Sequence, residues 1–167
     1  LQRELKPEAW EWLRSLAGEM QNKEKKSLFI SAFTAMPRHT GKAPLLLNKE
    51  ELNSLPVLNL QRYTADRLAR VWLLLQFPSE DKSTYTGTIS QLFKAAEMNE
   101  LVALYGALPL LAYPEAWVKQ CTDGIRSNIG LVLEAIMCDN PYPATYLDEP
   151  AWNQMVLKAF FTEKPVS

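Results

Sequence analysis

The chain has 167 residues, of which 47% are apolar and 22% charged, enough to bury one continuous core and too apolar for wholesale disorder. Eighteen basic and nineteen acidic residues leave a formal charge of −1, so no basic excess points to nucleic acid or an anionic lipid surface. Two cysteines, Cys121 and Cys138, each sit inside an apolar helical pattern, which reads as two buried thiols in a reducing compartment and not as a disulfide framework. The longest apolar run, around residues 71–75, is far too short to span a bilayer and no signal-type segment opens the chain; a cytoplasmic protein is expected.

Pro7 opens the first helix, with Trp10, Leu13, Ala17 and Met20 as its inner stripe and Trp12 off that stripe. The mixed cluster from Lys23 to Lys26 reads as a solvated helix start. A second helix is expected over residues 25–35, carrying Phe29, Ala32, Phe33 and Met36 and stopped by Pro37. Arg38-His39-Thr40-Gly41-Lys42-Ala43-Pro44 then reads as a polar loop, the only segment dense in basic and hydroxyl side chains. It lacks the glycine spacing and preceding strand of a Walker loop, yet Arg38 and Lys42 with a glycine N–H could cradle an anion. Asn48 and Glu51 have the spacing of a capping box for a short helix that ends before Pro56.

The helix over residues 64–77 places Leu68, Val71, Trp72 and Leu75 on one face. Leu73 and Leu74 make its second half apolar all round, which puts it at the centre of the core. Asp66 and Arg70 are an i, i+4 pair worth a few tenths of a kcal/mol, roughly, if exposed. After Pro78 a stripe of Tyr85, Ile89, Leu92, Phe93 and Ala96 follows. Asn99 is placed as the cap of a partner helix bearing Leu101, Leu104, Tyr105 and Leu108, halted at Pro109. Pro114 begins a helix with Trp117, Val118, Cys121 and Ile125, and Asn128 one with Ile129, Val132, Leu133 and Ile136.

The last segment runs from Asp139 to Ala159. Pro141 and Pro143 make Asn140-Pro141-Tyr142-Pro143 an expected stiff, extended loop. Asp148 caps a closing helix with Pro150 in its first turn and Trp152, Met155, Val156, Ala159 and Phe160 as its buried face. Asn153 and Lys158 lie about 140° apart on that helix and cannot share a face. No run alternates with period two, so no strand is expected. Pro78, Pro114 and Pro150 recur every 36 residues, and Pro-Glu-Ala-Trp occurs at residues 7–10 and 114–117. That period describes an all-α chain of helical pairs stacked as a short α-solenoid of the HEAT, armadillo or TPR kind; the alternative is an irregular helical bundle whose helices simply start at prolines.

One histidine and two separated cysteines offer no metal-ligand spacing, and no metal or cofactor is expected. A Cys–His dyad would need His39 beside a thiol, and two packed core thiols are the blander account. Arg126, in Gly124-Ile125-Arg126, has two readings: an exposed charge beside the Asn128 cap, or a groove residue meeting Asn140 or Tyr142. Tyr105 and Trp117 at helical spacing read first as core.

The strings Glu134-Ala135-Ile136, Asn140-Pro141-Tyr142-Pro143 and Asn153-Gln154-Met155-Val156-Leu157-Lys158-Ala159 carry a family resemblance. So do Leu101-Val102-Ala103-Leu104-Tyr105, Tyr113-Pro114-Glu115-Ala116, Gly124-Ile125-Arg126, Pro37-Arg38 and Gly41-Lys42. On them the chain resembles the EboA-domain family, over most of residues 1–167 and as a single domain. The resemblance implies a place in a bacterial gene cluster that makes or moves a small secondary metabolite. Its implied pathway partners are a prenyltransferase-like membrane protein, a cyclase-like enzyme and hydrolase-like proteins, and it carries no catalytic residue across. His39 stands where such proteins have an apolar or aromatic residue, and a C-terminal segment beyond Lys164-Pro165 is expected to be missing here.

These readings combine into an expected groove of Arg38, Lys42, Tyr105, Arg126, Asn140, Tyr142, Asn153 and Lys158, binding a small anionic metabolite or a partner protein without catalysis. The alternative is an enzyme on a cyclitol- or sugar-derived substrate, with Lys158 or Glu134 as acid or base. A membrane-associated adaptor is the third reading, with Trp12 its only pointer.

Overall fold

The computed structural model describes residues 1–20, 26–54, 58 and 60–162, Thr162 through its backbone alone. Ten α-helices fill the described residues: α1 Pro7–Glu19, α2 Lys26–Thr40, α3 Lys49–Asn53, α4 Ala65–Gln76, α5 Lys82–Ala95, α6 Met98–Gly106, α7 Val118–Arg126, α8 Gly130–Met137, α9 Tyr142–Tyr146 and α10 Glu149–Thr162. Short 3-10 turns at Gln2–Glu4, Leu60–Arg62, Leu108–Leu110 and Pro114–Trp117 join them. There is no strand among the described residues, only a single antiparallel bridge between Pro44 and Thr64. The chain is all-helical.

Helices α2, α4, α6 and α8 pack one against the next. α1 leans on α2 and α4, α7 on α8, and α10 on α7. Phe29, Phe33, Leu73, Leu104, Trp117 and Ile136 are sealed along this row. Both cysteines are buried and neither is in a disulfide, as their pattern indicates.

The largest departure from the sequence reading is α2. Pro37 does not end it; the helix continues through Arg38, His39 and Thr40, and Pro37 lies inside. A proline cannot donate to the carbonyl four residues back. That carbonyl belongs to Phe33, and Nε of Arg70, on α4, donates to it at 2.9 Å, with a weaker contact from Nη2 to Thr34 O at 3.4 Å. A side chain thus replaces the missing backbone donor. The helix ends instead at Gly41, whose φ of +71° provides the left-handed residue that commonly closes a helix.

Burial of Arg70 overturns the exposed reading of the Asp66–Arg70 pair. Arg70 is 2% and Asp66 4% exposed. Glu100 of α6 joins them, 3.9 Å from Arg70, while Asp66 stands at 3.5 Å and also accepts from the Thr64 hydroxyl. The inward face of α4 is therefore Asp66, Ala69, Arg70, Leu73 and Leu74. Leu68, Trp72 and Leu75 of the expected stripe are half-buried or exposed.

Other boundaries shift for identifiable reasons. Glu97, not Asn99, precedes α6, and Asn99 lies in its first turn. Asn128 adopts φ of +59°, a conformation asparagine tolerates, and α8 starts at Gly130. The same Pro-Glu-Ala-Trp phrase opens an α-helix at Pro7 and a 3-10 turn at Pro114. In α1 the sealed residues are Ala9, Leu13, Leu16 and Met20, while Trp10 and Ala17 are half-buried. Asn140-Pro141-Tyr142-Pro143 is not extended: Pro141 is in the helical region and Tyr142 begins α9. The prolines stand where a missing N–H costs little.

The capping box at Asn48 and Glu51 is formed, and Asp148 accepts from the Ala151 N–H at the start of α10. On α10, however, only Met155 and Ala159 are sealed; Val156, Leu157, Phe160 and Phe161 face outward. Trp12 is half-buried under His39, the rings stacked 3.6 Å apart, so it is not a free membrane pointer. Most of the Lys23–Lys26 cluster and Pro56 lie outside the described residues.

Candidate functional site

A cavity of about 280 Å³ opens between α4, α6 and α8, next to the 3-10 turn at Leu60–Arg62. Its polar lining is Arg62, Tyr63, Thr64, Asp66, Arg67, Asn99, Glu134, Asp139 and Asn140, and Leu58, Val102, Leu131 and Ala135 are among its apolar lining. Tyr63 is 3% exposed, and its hydroxyl has no hydrogen-bond partner. Arg67 lies four residues on, in the first turn of α4. Its guanidinium carbon sits 4.0 Å from the centre of the Tyr63 ring, against the π face.

Two observations single out Arg67. Its Nε is buried without a hydrogen-bond acceptor, and the side chain makes no ion pair among the described residues. Burial works against its charge and outweighs the favourable effects of Tyr63 and Asp66, Arg62 adding to the opposition, yet a guanidinium keeps its proton. Three carboxylates share the cavity with it: Asp66, which bonds Thr64 and Arg70, Glu134, which stands opposite Arg62 at 3.9 Å, and Asp139. Gly106 supplies the room for Arg67. A β-carbon there would come within 2.5 Å of Nη2 and 3.2 Å of the Tyr63 hydroxyl. The same burial raises the Tyr63 pKa, so the phenol stays a neutral donor.

Of the eight residues expected in a common groove, Asn140 lines this cavity; the other seven do not. Asn140 is itself a joint. Its amide donates to Tyr105 O at 3.1 Å and Ala135 O at 3.0 Å, and its carbonyl accepts from the Tyr142 N–H at 3.0 Å. It thereby satisfies carbonyls of α6 and α8 and the first N–H of α9. Tyr142 is sealed, its hydroxyl on Pro114 O at 2.6 Å, and Tyr105 donates to Gln120 O at 3.1 Å. Burial raises both phenols, Tyr105 to about 12. These three are brought together, but as interior struts.

Lys158 donates to Ile125 O at 2.6 Å and Asn128 Oδ1 at 2.5 Å, tying α10 to the end of α7. Arg126 and Asn153 are exposed, as are Arg38 in the last turn of α2 and Lys42 just beyond it. The Gly-Ile-Arg corner and the Asn-Pro-Tyr-Pro corner do not share the cavity. Arg67 and Tyr63 were not visible as a site in the sequence. The available signal was their i, i+4 spacing at the start of α4, which alone reads as a surface pair.

Among the described residues no group of three His, Cys, Asp or Glu could hold a metal ion. No described helix is long and apolar enough to cross a membrane.

The chain is all-helical, and a guanidinium without an ion pair among the described residues forms part of the wall of its cavity. The family model described as metabolite traffic protein EboA matches residues 1–167, and the chain belongs to that family. No curated protein and no solved structure matches it.

Proposed function

We propose that this chain is a non-catalytic binding protein of a metabolite traffic pathway, and that it holds a small anionic metabolite in the cavity between α4, α6 and α8. The observation that carries this reading is Arg67, a guanidinium in the cavity wall that makes no ion pair among the described residues and whose Nε has no acceptor. A cation in such a place is costly until an anion meets it, and a carboxylate or phosphate meets a guanidinium through paired hydrogen bonds. The family description, metabolite traffic, agrees with a holder better than with a catalyst.

The acid–base alternative finds less support. Of its two candidates, Glu134 lines the cavity but stands opposite Arg62 at 3.9 Å, as an ion-paired carboxylate. Lys158, the other candidate, is engaged by Ile125 and Asn128. In this proposal the pathway is bacterial and the protein works in the cytoplasm. Prenyltransferase-like and hydrolase-like proteins of the pathway exchange the metabolite with it. The succession α2, α4, α6, α8 is the observation behind a solenoid-like reading of the stack.

Titration with inorganic phosphate and with acetate, followed by calorimetry, tests the site. Saturable binding is expected, at least about tenfold weaker in Arg67→Gln, the loss of one charge-assisted contact. Equal binding by wild type and Arg67→Gln, or no binding of either anion, would refute the assignment.

A further inference from the structure

A second hollow lies on the other side of Leu58, a residue that lines both. It is a groove of about 410 Å³ walled by Leu60, Leu68, Val71, Trp72, Leu75 and Leu110. Its charged rim is already neutralised: Arg3 meets Glu51 at 2.5 Å and Glu4 at 3.3 Å. The groove therefore presents apolar surface with its rim charges paired, and the cavity beside it combines apolar walls with the Arg67 guanidinium, which makes no ion pair among the described residues.

Helix α4 runs through both. With 100° per residue, Arg67, Val71, Leu75 and Leu68 follow one another round the helix in a continuous strip. From Arg67 to Leu75 the rise is about 12 Å. Leu75 is 51% exposed, an open apolar position on a helix otherwise packed at the centre of the fold. This also explains why Leu68, Trp72 and Leu75 are apolar although, of their stripe, α4 seals only Val71 in the core.

We propose that the two hollows form one site for a single-chain amphiphile, its carboxylate or phosphate head on Arg67 and its alkyl-type chain passing Leu58 to lie along Leu68, Trp72 and Leu75. This rests on the cavity being an anion site. The groove's occupant follows from the continuity of the two walls through Leu58 and α4. A free small anion would leave the groove empty, and a neutral hydrocarbon would leave Arg67 unmet.

The test compares decyl phosphate and decanoate, below their micelle concentrations, with inorganic phosphate and decanol on wild type, Arg67→Gln and Leu75→Glu. Leu75 is exposed enough for the charge to be tolerated, and circular dichroism checks the fold. Decyl phosphate or decanoate, whichever head is preferred, is expected to bind at least tenfold more tightly than inorganic phosphate and than decanol. Arg67→Gln weakens it at least tenfold, and Leu75→Glu brings its ratio to inorganic phosphate down to about one. If the chain adds nothing while phosphate still binds through Arg67, the amphiphile is overturned and the anion site stands. A chain gain that survives Leu75→Glu places the chain elsewhere and also overturns it. Equal binding of decanol and decyl phosphate with no effect of Arg67→Gln would overturn the amphiphile and the anion site together.

Discussion

Arg70→Met removes the residue on which the middle of the fold depends most heavily. Met keeps the length and apolar stem of the side chain, so the change isolates the guanidinium. Three groups lose their partner at once: the Phe33 carbonyl that Pro37 cannot serve, and the carboxylates of Asp66 and Glu100. An unpaired buried carbonyl costs about 1–3 kcal/mol, and breaking a buried ion pair by removing one partner about 3–5. The terms overlap, so we expect a loss of about 3–5 kcal/mol, or roughly 6–20 °C in Tm for a chain of this size. Glu100 also sets a sign for the pH dependence. Burial raises its pKa in the fold, and Arg70 opposes that rise. A carboxyl that holds its proton more tightly when folded contributes stability that is present below its unfolded pKa and is lost as pH rises through the folded value. Without Arg70 that window widens upward, so the deficit of Arg70→Met is largest at pH 7 and shrinks as pH falls toward about 4. Urea unfolding at several pH values, read by circular dichroism, measures both effects. Adding Glu100→Gln to Arg70→Met is expected to restore about 0.5–3 kcal/mol of coupling. A loss under about 1 kcal/mol at pH 7, or a deficit that grows on acidification, would refute the account of α2 and α4.

Three further outcomes follow from packing. Gly124→Ala places a β-carbon 2.7 Å from the Tyr105 ring and from Ile136 Cδ1, both in the interior, so overpacking of about 1–3 kcal/mol outweighs the helix gain of about 1; thermal melts check it. Gly106→Ala meets the tip of Arg67, a flexible side chain that can move, so stability in the same melts changes by less than about 1 kcal/mol. Phosphate binding, measured by calorimetry, falls with it because the guanidinium is displaced. The Cys121 thiol, pushed by burial up to about 12, is expected to react with Ellman's reagent at pH 8 only as fast as the protein opens, and at once in denaturant.

How far the site was legible turns on particular residues. Tyr105, Asn140 and Tyr142 stood out because polar and aromatic groups in unusual strings attract a functional reading. The structure spends them on interior carbonyls, a use that depends on which helix ends meet there. Arg67 drew no notice, since a lone arginine four residues after a tyrosine looks like solvent-facing charge. Only the close approach of α6 at Gly106 turns it into a cavity wall.

The sequence by itself determined that the chain is helical throughout the described residues, where most of its apolar stripes lie, and two of its caps, because periodicity and capping are set by residues within a few positions of one another. It also carried the family, through long specific strings. The tertiary structure alone decided that α2 runs through Pro37, that the Asp66–Arg70 pair is buried and that Arg67 lines a cavity without an ion pair among the described residues. Each depends on groups far apart in the chain: a carbonyl on α2 and a guanidinium on α4, a carboxylate on α6, a glycine on α6. Local spacing holds no information about which of these meet, and the energy of a buried charge is set by what surrounds it.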